Sequence, residues 1–229
     1  MVAAIVFDLD GVLIDSEAIW DEARRDLVLG RGGHWLPEAQ SAMMGMSAPE
    51  WSRYMQHSLG VDMPPDEISA AVVTRMEQLY RRHLPLLPGA RDAVLALGQR
   101  WPLALASSSN RPLIDLVLNL AGLTRAFAET VSAEEVARGK PSPDVYLEAA
   151  RRLGVDAAAC AAVEDSTNGL RAAAAAGMAV IAVPNRKFPP DRDALALTTV
   201  VLESLDELRP DLVTSITSGK SGRPRWSGP

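Results

Sequence analysis

Short apolar runs alternate with helical patterns along most of this 229-residue sequence. Runs that are apolar at nearly every position predict strands buried on both faces of a sheet. We expect such strands at residues 3–7, 102–106, 160–163 and 178–183, with a further candidate at 200–202. Because strands that alternate with helices pair in parallel, the pattern predicts an α/β fold, a Rossmann-like parallel sheet with helices on both faces.

The helices predicted between these strands have recognisable ends. Proline at the first helical position favours a start at Pro143, and glycine after the last apolar position favours ends at Gly122, Gly154 and Gly177. Together with the apolar spacing, these signals predict helices at residues 89–99, 112–121, 143–153 and 168–176.

One long segment, residues 14–86, carries helix signals and no convincing strand. Helices are expected to begin after Asp15-Ser16, at a capping box from Ser47 to Glu50, and at Pro64-Pro65. An insertion at the carboxyl end of the first strand covers the place where open α/β sheets bind ligands. We therefore predict a helical cap domain at 14–86, a core domain at 1–13 and 87–208, and a tail at 209–229 that is disordered towards its end.

Composition excludes several classes of protein. Lys and Arg total 23 against 29 Asp and Glu, a net charge of −6, and aromatic residues are 5% of the chain, so no nucleic-acid partner is expected. The single cysteine, Cys160, excludes a disulfide framework. No secretory signal or membrane-spanning run is found, so we predict a cytoplasmic protein without a membrane partner. A monomer is expected, and the sequence leaves an oligomer open.

Acidic pairs follow two of the predicted strands. Asp8 and Asp10 come directly after the first strand, and Glu164 and Asp165 follow a later one. Carboxylates brought together at neighbouring strand ends repel one another, which raises a pKa or recruits a hard cation such as Mg²⁺. One carboxylate of such a site can attack an electrophile while another moves a proton.

Two further segments offer groups for an anion. Ser107 and Ser108 open a polar segment after the second predicted strand, where hydroxyl and backbone N–H groups at a helix start suit a phosphate. Lys140 lies in a turn between Gly139 and Pro141. Taken alone, each segment has a simpler explanation, helix capping for the serines and a solvated side chain for the lysine. The combination with the acidic pairs is much more specific than any part.

Four segments follow one another along the chain: Asp8 with Asp10, Ser107 with Ser108, Lys140, and Glu164 with Asp165. In this order they resemble the motifs of the haloacid dehalogenase superfamily of phosphatases and phosphomutases, in the branch of beta-phosphoglucomutase and the sugar-phosphate phosphatases. The resemblance covers residues 1 to about 208 and implies a Mg²⁺ cofactor and a small phosphorylated metabolite as the substrate. It implies that Asp8 is the nucleophile and that Asp10 is the general acid and base. The other implied roles are metal binding by Asp8, the Asp10 backbone carbonyl and Asp165, support from Glu164 behind them, and phosphate binding by Ser107, Ser108 and Lys140.

The same resemblance bears on the reaction. Dehalogenases of the family lack the second aspartate, so Asp10 indicates phosphate chemistry. The mutases carry a histidine where this chain has Trp20, and an arginine in the first cap loop, residues 43–49, where this chain has none. We therefore predict a phosphatase that acts through an aspartyl-phosphate on a small phosphorylated metabolite, and we expect a sugar phosphate. A phosphomutase and a non-catalytic phosphometabolite-binding module are the alternatives.

Substrate specificity is expected to come from the cap. The candidates are Trp20, Arg24, Met44, Gly45 and Met46. Trp20 and Arg24 are four residues apart and share one helix face, which either meets the active site or packs on another cap helix. Methionines at helix ends usually fill gaps in a core, so packing is the alternative for Met44 and Met46.

Overall fold

A parallel sheet forms the centre of the fold in the computed structural model, which describes residues 1–44 and 46–216. Within this part of the chain the sheet has six strands in the order β3-β2-β1-β4-β5-β6, and all neighbouring pairs are parallel. The strands are β1 (Ala4–Phe7), β2 (Leu103–Ser107), β3 (Glu129–Ser132), β4 (Cys160–Glu164), β5 (Ala179–Ala182) and β6 (Val200–Val201). The predicted α/β class is confirmed.

Helices cover both faces of this sheet. They are α5 (Ala90–Gly98), α6 (Arg111–Leu120), α7 (Asp144–Leu153), α8 (Thr167–Ala175), α9 (Arg192–Leu195) and α10 (Pro210–Ile216). Ile5 and Phe7 of β1 belong to a core with α5 and α6, whereas Ala4 and Val6 belong to a second core with α7 and α8. Successive residues of a strand point to opposite faces, so a strand enclosed in this way must be apolar throughout.

Four helices lie between β1 and α5 in the sequence. They are α1 (Glu17–Gly30), α2 (Ala39–Met43), α3 (Ala48–His57) and α4 (Pro65–Arg82). The two connections to the sheet run side by side, since the Leu87 amide donates to the Leu13 carbonyl and the Asp15 amide donates to the Pro85 carbonyl. The division into core and cap stays a prediction, which these paired connections support; cap is kept below as a name for residues 14–86 and core as a name for residues 1–13 and 87–208.

The structure contains elements that the sequence patterns did not indicate. Strand β3 at the sheet edge is short and polar at three of its four residues, and α2 has five residues, so neither has a clear periodicity. Helix α10 lies in the segment predicted as a tail, and its Val213 is fully buried against the core. The ordered fold therefore extends beyond residue 208. The disorder predicted towards the end of the tail concerns residues 217–229, which lie outside the described residues.

Among the helices of residues 1–44 and 46–216, none combines the length and the apolar character that crossing a bilayer would require.

Candidate active site

The acidic pairs meet at the centre of the sheet. Asp8 follows β1 and Asp165 follows β4, and these strands are neighbours in register from Ala4 with Cys160 to Phe7 with Val163. The Asp8 amide donates to the Val163 carbonyl at 3.0 Å, which continues the ladder one residue beyond β1. Strand order reverses between β1 and β4, so the site lies at the topological switch point where such sheets bind ligands.

Two glycines allow the acidic loops to approach the backbone closely. Gly11 has a φ of 77°, and a Cβ built on it would lie 1.9 Å from Asp165 Oδ2. A Cβ on Gly169 would lie 1.8 Å from Glu164 Oε1. Any side chain at either residue would displace one of these carboxylates, so both glycines are part of how the sequence builds the site.

Lys140 joins two of the carboxylates. Its Nζ lies 2.8 Å from Asp8 Oδ1 and 2.6 Å from Glu164 Oε1, and its side chain is 4% exposed. Burial by itself lowers the pKa of Lys140, but the carboxylates of Asp8 and Glu164 outweigh this effect and raise the pKa. Lys140 therefore carries a permanent positive charge beside Asp8.

Glu164 is fully buried and its carboxylate is saturated with donors. Oε1 accepts from Lys140 Nζ and from Tyr146 Oη, the latter at 2.8 Å. Oε2 accepts from the backbone amides of Asp165 and Ser166 and from the Ser166 hydroxyl. With its lone pairs engaged in this way, Glu164 is suited to hold Lys140 and the loop after β4 in position.

Besides Glu164, the cluster holds two buried carboxyl groups, those of Asp8 and Asp165, whose ionised forms are costly. Burial raises the pKa of Asp8 to about 8, and the nearby Glu164 and Asp10 reinforce the rise while Lys140 opposes it. Burial, together with Glu164 and Asp8, also raises the pKa of Asp165 well above its usual range. Oxygen atoms of Asp8, Glu164 and Asp165 lie within 4.8 Å of one another. One lysine does not neutralise three buried carboxylates, so this all-oxygen cluster fits a hard divalent cation.

Asp10 is held by donors that come from both the cap and the core. Trp20 Nε1 of α1 donates to Oδ1 at 3.3 Å, and the Ser109 hydroxyl donates to Oδ2 at 2.6 Å. The Ser107 hydroxyl lies at 3.4 Å from the same Oδ2. Unlike Asp8, Asp10 has no ion pair with Lys140 at 4.0 Å or less. Its carboxylate is therefore oriented by neutral groups at the border between core and cap.

A cavity of about 640 Å³ lies over these groups. Core residues that line it include Asp8, Asp10, Ser108, Lys140 and Asp165. The predicted cap residues Trp20, Arg24, Met44 and Met46 also line it, whereas Gly45 lies outside the described residues. Trp20 and Arg24 were expected either to face the active site or to pack on another cap helix. In the structure they do both, because they border the cavity and also pack on Trp51 of α3.

Ser107, Ser108 and Ser109, at the end of β2, make different contacts, and the sequence did not indicate which of them faces the cavity. Ser107 is fully buried, and its hydroxyl accepts from the Ser109 amide, whereas Ser108 and Ser109 line the cavity. The direct contact of Ser109 with Asp10 was missed, as were Trp51 and Gln40 in the cap. The run of three serines was the only local signal for Ser109, and it does not tell which hydroxyl reaches Asp10.

Comparisons with known proteins agree with this geometry. Residues 2–177 match the model of the haloacid dehalogenase-like hydrolase family. The chain is 37% identical over 213 residues to hexitol phosphatase B of Escherichia coli K12, which covers 90% of this chain and 94% of that protein. It is 29% identical to CbbY from Rhodobacter sphaeroides, whose crystal structure with phosphate superposes with a TM-score of 0.81 over 91% of this chain and 96% of that one.

A parallel α/β sheet with carboxylates and a lysine at its switch point, under a helical insertion, defines a class of hydrolytic enzyme. The chain belongs to the haloacid dehalogenase-like hydrolases. Its relatives place it in the branch that contains the sugar-phosphate phosphatases and the beta-phosphoglucomutases. The family and the phosphatase class predicted from the sequence are confirmed.

Proposed function

We propose that this phosphatase is a Mg²⁺-dependent phosphomonoesterase that acts on a small sugar phosphate through an aspartyl-phosphate at Asp8. The observation that carries the proposal is the placement of Asp8. Its carboxylate borders the cavity at the switch point, lies 2.8 Å from Lys140 Nζ, and has the separately held carboxylate of Asp10 nearby.

In the first step, a carboxylate oxygen of Asp8 attacks phosphorus. A bond forms between this oxygen and phosphorus while the ester bond between phosphorus and the alcohol oxygen breaks. Asp10 gives its proton to the departing oxygen, so the alcohol leaves neutral. Lys140 holds positive charge beside the transferred group, and Ser108 and Ser109 line the cavity where its oxygens would lie.

In the second step, water attacks the aspartyl-phosphate. Asp10, now ionised, takes a proton from the attacking water, and the bond between phosphorus and Asp8 breaks. Inorganic phosphate leaves and both aspartates return to their starting state. Contacts of Asp10 with Trp20 and Ser109 support this double role, since they hold its carboxyl group beside the cavity, within reach of the alcohol oxygen and later of the attacking water.

The residues present fit Mg²⁺, because Lys140 alone does not neutralise the buried carboxylates of Asp8, Glu164 and Asp165. Asp8, the Asp10 backbone carbonyl and Asp165 would hold the ion, with Glu164 supporting them from behind through the contacts that already saturate it. The bound ion supplies positive charge to the phosphoryl oxygens.

A hydrolytic reaction is favoured over phosphomutase activity by one contact. Trp20 donates to Asp10 from the helix where the mutases carry a histidine, so a neutral donor occupies the side of Asp10 that faces the cap. The names of hexitol phosphatase B and fructose-1-phosphate phosphatase among the relatives support a sugar phosphate as the substrate. A cytoplasmic location and a monomeric state stay predictions, and the lone buried thiol of Cys160 is compatible with a reducing compartment.

The proposed function is tested by measuring phosphate release from hexose, hexitol, pentose, nucleotide and short-acid phosphates, with Mg²⁺ and with a chelator. We expect Mg²⁺-dependent release that the chelator abolishes. The same assay follows beta-glucose 1-phosphate for conversion to glucose 6-phosphate. Isomerisation without phosphate release would establish the mutase instead, and binding of phosphorylated compounds without either reaction would establish the non-catalytic alternative.

Replacement of Asp10 by asparagine separates the acid role from a structural one. Asparagine cannot give a proton, so kcat/KM for an alkyl phosphate is expected to fall by about 10²–10³-fold, and that for p-nitrophenyl phosphate by less than about tenfold. The ratio kcat/KM reports only the steps up to release of the alcohol, which keeps the second proton transfer out of the comparison. Asp66→Asn, at an exposed residue of α4, is the matched control. Equal losses on both substrates would contradict the acid role.

A further inference from the structure

Arg24 of α1 is a buried cation at the cap side of the cavity. The residue is 5% exposed and lines the cavity. Its guanidinium carbon lies 4.6 Å from the ring centre of Trp20 and 5.2 Å from that of Trp51. The two indoles hold the guanidinium in place and shield it from water, which strengthens its interaction with any charge that reaches it.

The guanidinium has few partners of its own. Nη1 donates to Gln40 Oε1 at 3.3 Å, and Nε is buried without a hydrogen bond. No carboxylate of the described residues lies within 4.0 Å of the Arg24 guanidinium, although the charges of Glu17, Asp10 and Asp21 act on it from farther away. The amide of Gln40 donates instead to Glu17 Oε2 at 2.8 Å, so the neighbouring acid is engaged with Gln40. Burial lowers the pKa of Arg24 to about 10, which leaves it charged at neutral pH.

A buried charge without an ion-pair partner is costly, so a ligand that brings the opposite charge next to it is favoured. Within the described lining of the cavity, the other cation is Lys140, which is already paired with Asp8 and Glu164. Arg24 is therefore the cation that remains for the substrate. Its planar fork matches the oxygens of a carboxylate or a phosphate.

We propose that Arg24 binds a second anionic group of the substrate, a carboxylate or a phosphate, at the end remote from the phosphoryl group that is transferred. This inference rests on the proposed function and narrows its substrate to sugar phosphates with two anionic ends. The binding group comes from α1 and is held between Trp20 and Trp51, so it does not depend on the cap loop at residues 43–49.

Matched substrate pairs test this assignment. 6-Phosphogluconate and glucitol 6-phosphate are both open-chain and differ in a distal carboxylate, and fructose 1,6-bisphosphate and fructose 6-phosphate differ in a distal phosphate. We expect the wild-type kcat/KM to be at least about tenfold higher for the anionic member of one pair, and the pair identifies the group. In Arg24→Met this preference should fall by about tenfold or more, because methionine keeps the bulk and removes the charge.

Arg25→Met is the matched control, since Arg25 is the next residue of α1 and is exposed. It should keep the wild-type preference. Binding of the same pairs to the Asp8→Asn protein, measured by calorimetry, gives a second readout without turnover. There the anionic member should bind more tightly, and Arg24→Met in that background should remove the difference.

Two results would overturn the assignment. One is a wild-type enzyme that shows no preference within either pair, and the other is an Arg24→Met variant that loses equally on both members. If Arg24→Met does not fold, as judged by circular dichroism, Arg24→Lys decides, because it keeps the charge without the fork and should lose part of the preference. Failure of the proposed function is distinguishable, since the wild-type protein would then release no phosphate even from p-nitrophenyl phosphate.

Discussion

Replacement of Asp8 by asparagine is expected to lower the turnover number by about 10⁴-fold or more, because the amide removes the proposed nucleophile. The fold should persist, since the two side chains have nearly the same shape and the Asp8 backbone keeps its bond to Val163. The change also removes one of three crowded carboxylates. The variant is therefore expected to be inactive and folded.

The measurement is phosphate release under single-turnover conditions, with circular dichroism and thermal unfolding on the same samples. Asp66→Asn controls for the effect of any aspartate change far from the cavity. Activity of Asp8→Asn close to that of the wild type would exclude covalent catalysis at this residue. An inactive variant that is also unfolded would contradict the expected retention of the fold.

Replacement of Lys140 by methionine is expected to reduce the free energy of unfolding by about 3–5 kcal/mol, because it leaves buried carboxylates without their partner. The side chains of Asp8 and Glu164 are 8% and 0% exposed, so water solvates them poorly in place of the ammonium group. Turnover should also fall, since the charge beside the transferred phosphoryl group is lost. Urea unfolding at neutral pH, with a chelator present, measures the change in the free energy of unfolding.

Two further variants decide how this loss arises. Lys187→Met, at an exposed lysine, should leave stability within about 0.5 kcal/mol of the wild type. In a double variant with Glu164→Gln, part of the loss should be recovered, because one of the two unpaired charges is gone. A loss of less than about 1 kcal/mol in Lys140→Met would show that the ion pairs are not the buried contacts described here.

Local patterns were sufficient for most of the sheet. Five of the six strands were predicted within two residues of their observed ends, because a strand buried on both faces must be apolar throughout. Edge strand β3, with its two half-buried polar residues, lacks that signature. Helix α10 was missed for a related reason, since Val213 is its one fully buried residue among those described, and Leu212 and Ile216 pack on the core only in part.

The sequence by itself determined the parallel α/β architecture and the inserted helices. It also determined that the acidic residues of the site lie at strand ends, namely Asp8, Asp10, Glu164 and Asp165. These features depend on periodicity and on short spacings along the chain. Tertiary structure alone decided which groups touch across the cavity. Ser109 rather than Ser107 makes the short bond to Asp10, and Arg24 lies between Trp20 and Trp51. Such contacts join residues of separate elements, and their geometry depends on how cap and core helices pack.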